Sequence, residues 1–148
     1  MSDFIYACVQ LVHNLGAAAV VGGPAVSWWL VRASQLTAAF PGNAAAIFPI
    51  QRKLAWLTLV AWSAQLASGA GFGATTYYLK HAFPELTGVG LAALIIKVSC
   101  AVIAFILILL YLTTGSRWSA KGQLRAWQTL FTVGITALMS AAFLRWYA

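Results

Sequence analysis

Between Val89 and Leu112 the sequence runs through 24 residues with a single charged side chain, Lys97. As a helix rising 1.5 Å per residue, such a run spans the roughly 30 Å hydrocarbon core of a bilayer. An ammonium near the middle costs at least about 2.5–3.5 kcal/mol on insertion scales, so it turns toward a protein interior and not toward acyl chains. Any fold open to this chain must therefore give Lys97 polar company inside a membrane.

The rest of the chain shares that solvent. Of its 148 residues, 62% are hydrophobic and 7% charged, where a soluble domain carries about 25% charged residues. Four apolar spans stand out, at about 4–31, 54–79, 87–113 and 126–147. None has the polar face of a soluble helix, and no alternation runs long enough for a lipid-facing barrel. The expected fold is all-α, a single transmembrane domain built as a four-helix bundle.

The net charge of +7 is unevenly placed. Arg32, Arg52, Lys53, Arg117, Lys121 and Arg125 fall in the two connections joining spans one to two and three to four. The opposite side carries Lys80 and Arg145 with the two acids, Asp3 and Glu85. By the positive-inside rule the basic connections face the cytoplasm, and both termini face the periplasm of a bacterial inner membrane. Trp28, Trp29, Trp56, Trp118 and Trp127 mark the inner boundary; Tyr6, Tyr77, Tyr78, Trp146 and Tyr147 mark the outer one. Basic residues at span ends, without interleaved stacking aromatics, argue against nucleic-acid binding. Asp3 stands where a cleavable signal would carry basic residues, so the first span reads as retained. The longest connection, 33–51, holds Pro41-Gly42-Asn43 and Pro49 and reads as a turn-rich interfacial linker. A tight Phe83-Pro84-Glu85 joins spans two and three.

Small residues line the faces on which the spans can meet: Gly16 to Ala19 in span one, Gly69 and Gly73 in span two. In span three Gly90, Ala93, Lys97, Ala101 and Ala104 share one helical face, which aims Lys97 into the bundle. Its expected neighbour is His13, in the polar patch Gln10-Leu11-Val12-His13-Asn14. Both lie roughly 14–15 Å below the outer boundary by helical rise, and Gln65 of span two falls near the same depth. His81 ends span two at the surface, some 13 Å higher, a poor partner for His13 in holding one iron. Lys80, His81 and Arg145 form an outer rim suited to propionates. Cys8 and Cys100 lie in apolar runs without a CxxC or CxxCH motif, and read as small buried hydrophobes. With His13 and Met139 they are also the donor types that copper(I) prefers.

A first-span histidine nine residues before Gly22-Gly23, with a mid-span lysine in Leu94-Ile95-Ile96-Lys97-Val98, resembles the copper-resistance-D-type membrane proteins and the related HemJ-type protoporphyrinogen oxidases. The resemblance implies a compact helical bundle with a functional His and Lys, carrying b-type haem or handling copper. Where the HemJ-type pattern is richer in basic residues and histidine after its first helix, this chain has Ala25-Val26-Ser27-Trp28-Trp29. The expectation is therefore a reduced subunit of an electron-transfer assembly that binds b-type haem, or formerly did, or docks a redox partner, and an oxidoreductase component if it takes part in catalysis. His13 would be the metal ligand. Lys97 would meet a propionate or quinone oxygen or supply a proton, and Gln10, Asn14, Gln65, His81 and Arg145 would support the cofactor. A cofactor-free accessory subunit and a copper transporter are the alternatives. The expected partners are the lipid bilayer and other membrane subunits or further copies of the chain.

Overall fold

The computed structural model describes residues 2–36, 43–81 and 88–147. Among them the chain forms α1 (Ser2–Leu36), α2 (Asn43–Lys80), α3 (Gly88–Thr114), a 3-10 turn (Gly115–Arg117) and α4 (Ala120–Tyr147). Each helix packs on the next, α4 closes back on α1, and the α2–α3 interface is the thinnest. Neighbours run antiparallel: Gly16 meets Ala61 and Gln65, while Gly23 meets Leu54 and Thr58. The fold is an up-and-down helical bundle.

Three stretches are long and apolar enough to cross a membrane: Ala7–Ala33, Gly88–Arg117 and Ala120–Leu144. Outward-facing Leu, Ile, Val and Phe side chains on these helices are suited to contact with lipid. α2 is longer still, about 57 Å by helical rise, but Ser63, Gln65, Ser68 and the glycines at 69, 71 and 73 dilute its apolarity.

The helices run further at the basic end than their sequence suggests. The linker expected over 33–51 is helical from Asn43 onward, and α4 begins at Ala120, six residues before the expected 126. Ala44-Ala45-Ala46 supplies the strongest helix-forming residues just where α2 starts. Pro49, in the second turn, forfeits the bond to the carbonyl four residues earlier and crowds it, yet the helix continues through it. The expected turn at Pro41-Gly42 and the Phe83-Pro84-Glu85 connection lie outside the described residues.

Packing is uneven along the bundle. The largest fully buried side chains are Trp127, Tyr111, Ile108, Leu130, Gln51, Val20, Thr58, Pro24 and Ser27, all from the half of the bundle nearer the basic end. Toward the other end, no described residue of α1 before Gly16, of α2 after Ser68 or of α4 after Ser140 is buried. One half is a packed core; the other is more open, its burial beyond those positions limited among the described residues to Gly90 and Ala93 of α3.

A polar contact sits in the middle of the packed half. Tyr111 Oη donates to Gln51 Oε1 at 2.6 Å. The Tyr111 ring packs edge-on against Trp127 and Trp118, with centroids 4.9 and 5.8 Å apart, and tilted against Phe48 at 6.1 Å. Gln51 is 1% exposed and Tyr111 0%, so neither can turn to solvent for a substitute partner. Tyr111→Phe is expected to strand the Gln51 carbonyl and lower stability by about 1–3 kcal/mol. Thermal unfolding in detergent checks this, and adding Gln51→Met to Tyr111→Phe should recover most of the loss, because both polar partners then leave together.

Candidate functional site

The polar groups expected at mid-membrane gather where the packed half gives way to the open one. α1 delivers His13 and α2 delivers Gln65 and Ser68, three residues apart and hence on one face. His13 Nδ1 and Ser68 Oγ are 2.8 Å apart. Ser68 Oγ in turn reaches the carbonyls of Ala64 at 2.6 Å and Gln65 at 3.2 Å. The Gln65 side-chain amide crosses the helix interface in the other direction, Nε2 donating to the backbone carbonyl of His13. Two side-chain bonds thus clasp α1 to α2 at one level.

Glycine makes the clasp possible. A Cβ at Gly16 would stand 2.9 Å from Gln65 Nε2 and 3.3 Å from the Ala61 carbonyl. Without it, α2 comes close enough for the Gln65 amide to pass. Phe72, one turn beyond Ser68, meets the His13 ring edge-on, with centroids 5.6 Å apart and planes at 75°. The imidazole is therefore held by a hydrogen bond at one edge and an aromatic contact beside it, while remaining half-buried.

α3 brings Lys97 toward this group. Gly90, Ala93, Cys100, Ala101 and Ala104 are buried, whereas Ile95, Ile96, Val98, Val102, Ile103 and Ile106 are exposed. Lys97 lies between these faces, half-buried. Helical register agrees: Gln51 meets Tyr111, and stepping back 14 residues along α3 while advancing 14 along α2 pairs Lys97 with Gln65. Lys97 and His13 are thus offset by about one turn.

Other expected members stand elsewhere. Gln10 Nε2 donates to Asn14 Oδ1 at 2.9 Å on the exposed side of α1, so these two satisfy each other along their own helix and not around His13. His81 is exposed and adopts φ 52°, its backbone N–H donating to the Tyr77 carbonyl at 2.8 Å. That is the left-handed residue closing a helix, about 20 Å along α2 from Ser68 at 1.5 Å per residue. His81 and His13 are not brought together. Arg145 and Lys80 have backbones in α4 and α2, and their side chains lie outside the described residues. Cys8 is exposed and Cys100 buried. Among the described residues no three of His, Cys, Asp and Glu come together in a metal-holding group.

Ser68 was not legible as a site residue, since serine in a membrane helix most often bonds its own backbone. It does so here and also takes the imidazole. The only signal lay in its spacing from Gln65.

No protein-family model matches the chain, and no curated protein or solved structure is similar to it. The functional reading therefore rests on this site alone.

Proposed function

We propose that the chain is a multi-pass subunit of a bacterial inner-membrane electron-transfer assembly, holding one b-type haem through His13. Four crossings would place the basic connections in the cytoplasm and both termini in the periplasm. A reporter fused to the C-terminus should then be active only if it is a periplasmic type.

The observation that carries this reading is the placement of His13. Its ring is anchored at Nδ1 by Ser68 and braced by Phe72, at the floor of the open half of the bundle. Haem-ligating histidines need such an anchor, because a partner on one ring nitrogen orients the other toward the metal. One histidine would hold the group, not two, as His81 stands about 20 Å from Ser68 along α2. Beside α2, a Cβ at Gly69 or Gly73 would meet nothing within 4 Å, so no described side chain fills the side of the helix that these two glycines share. Lys97 supplies the positive charge that a propionate or a quinone oxygen would need in low dielectric.

When bound, the haem supplies one-electron transfer. His13 would hold the iron at a depth where the protein insulates it from water. Gln65 keeps the α1 backbone at His13 in register, and Lys97 balances acidic groups of the cofactor. The purified protein should show a Soret absorption band; a colourless, fully assembled protein carrying no haem by pyridine haemochrome assay would overturn the reading.

One observation favours a second reading. Gly69 and Gly73 share one side of α2, where a Cβ would meet nothing within 4 Å among the described residues, and helices associate in lipid through such faces. A cofactor-free accessory subunit would use this face against another protein, and would tolerate loss of His13. Copper transport has less to stand on, since Cys8, exposed on α1, and Cys100, buried on α3, form no donor cluster with His13.

A further inference from the structure

We propose that Ser68 locks His13 into the tautomer with its proton on Nδ1, so that a bare Nε2 is the atom the bundle presents to a ligand. The argument is a proton count around one oxygen. Ser68 Oγ lies 2.6 Å from the Ala64 carbonyl oxygen, 3.2 Å from that of Gln65 and 2.8 Å from His13 Nδ1. Carbonyl oxygens only accept, and a serine hydroxyl has one proton to give. A 2.6 Å approach of two oxygens is a hydrogen bond when a proton lies between them and a repulsive contact of lone pairs when none does. The Ser68 proton is therefore committed to Ala64.

What remains on Ser68 Oγ is acceptor capacity, and His13 Nδ1 must supply the proton between them. The opposite tautomer would set the Nδ1 lone pair against an oxygen with no proton left to share. In a neutral ring, one protonated nitrogen leaves the other bare, so Nε2 carries the free electron pair. Nε2 stands across the ring from the Ser68 anchor, and Ser68 therefore leaves it unengaged.

The chemical class follows. A bare imidazole nitrogen takes an electron-pair acceptor, either a borderline metal centre or a proton donor. Under the haem reading proposed above, on which only the ligand's identity rests, that acceptor is the iron. Ser68 is then a positioning residue. It touches no ligand, and it decides which nitrogen can. Removing such an outer partner typically weakens metal binding about tenfold to hundredfold.

Histidine 15N NMR on the protein without added haem tests the tautomer directly. The chain has only two histidines, so His81→Gln leaves His13 as the single signal. The expected spectrum shows a protonated Nδ1 and an unprotonated Nε2. In Ser68→Ala the balance should move toward Nε2–H by at least tenfold, and Ser68→Thr should restore the original state. Haem titration should follow the same order, with Ser68→Ala about tenfold to hundredfold weaker. A wild-type ring protonated on Nε2 would overturn the proposal, as would an unchanged ring in Ser68→Ala. Should Ser68→Ala fail to fold, the wild-type spectrum and Ser68→Thr still decide. An Nδ1–H ring in a protein that binds no haem upholds the Ser68 proposal and removes only the haem reading.

Discussion

If the chain binds haem as proposed, replacing His13 with alanine should abolish the Soret band, with haem affinity falling at least a hundredfold, about 2.8 kcal/mol. The loss should be this large because no second histidine stands near His13 among the described residues. Gln10 and Asn14 are engaged with each other, and His81 closes the far end of α2. Truncation also leaves the Ser68 hydroxyl bonded to its own helix, so no stranded polar group adds an incidental folding defect. The helical signal in circular dichroism should therefore persist while the haem is lost. Exogenous imidazole should restore part of the band, since the cavity left by the ring keeps its Ser68 partner and its Phe72 wall. Lys97→Met is the contrasting variant. It keeps the ligand and removes the charge, so the band should remain while the reduction potential falls, as loss of a nearby positive charge disfavours adding an electron. A cofactor-free subunit predicts the reverse for His13→Ala: no spectral change and intact assembly.

How far the sequence carries can be read from particular residues. Three of the four expected spans fall on stretches long and apolar enough to cross a membrane, a length that the bilayer's thickness sets. Lys97's setting followed from the three- and four-residue spacing of small residues around it, a local property of α3. Helix starts at the basic end were less legible, because proline and glycine near Pro41 and Pro49 signal breaks whose outcome depends on the neighbouring alanines. The Gln51–Tyr111 contact joins residues 60 positions apart, and no periodicity within either segment announces it. The partners of His13 were half visible. Depth pointed to Gln65, while the bond to Ser68 depends on the rotation of α2 about its axis. That rotation is fixed by which glycines let helices approach. Gly69-xxx-Gly73 looked like the close-contact face of span two, but a Cβ at either glycine meets nothing within 4 Å. The close approaches are at Gly16, Gly23 and Gly134 instead.

Gly134→Leu should be the most disruptive single change in the packed half, and the reason joins two features distant in sequence. Pro24 lies inside α1 and has no N–H. The carbonyl four residues earlier, Val20, therefore lacks its usual helical donor. Gly134 of α4 stands directly against that carbonyl: a Cβ built there would lie 2.8 Å from Val20 O and 3.2 Å from Val21 Cγ2. The nearer obstacle is backbone and cannot rotate aside as the Gln65 amide could near Gly16. Val20 is itself 1% exposed, so α1 has no slack with which to retreat. Gly134→Ala should cost about 1–3 kcal/mol through overpacking, and Gly134→Leu should separate α1 from α4 and prevent isolation of a folded protein. Gly73→Ala is the matched control, placed where a Cβ meets open space, and its unfolding midpoint in detergent should equal or exceed that of the wild type. Pro24→Ala gives Val20 its helical donor back, yet leaves Gly134 pressed on the same oxygen. If the steric account is right, Pro24→Ala will not rescue Gly134→Ala, and equal midpoints for Gly134→Ala and wild type would refute the close α1–α4 contact.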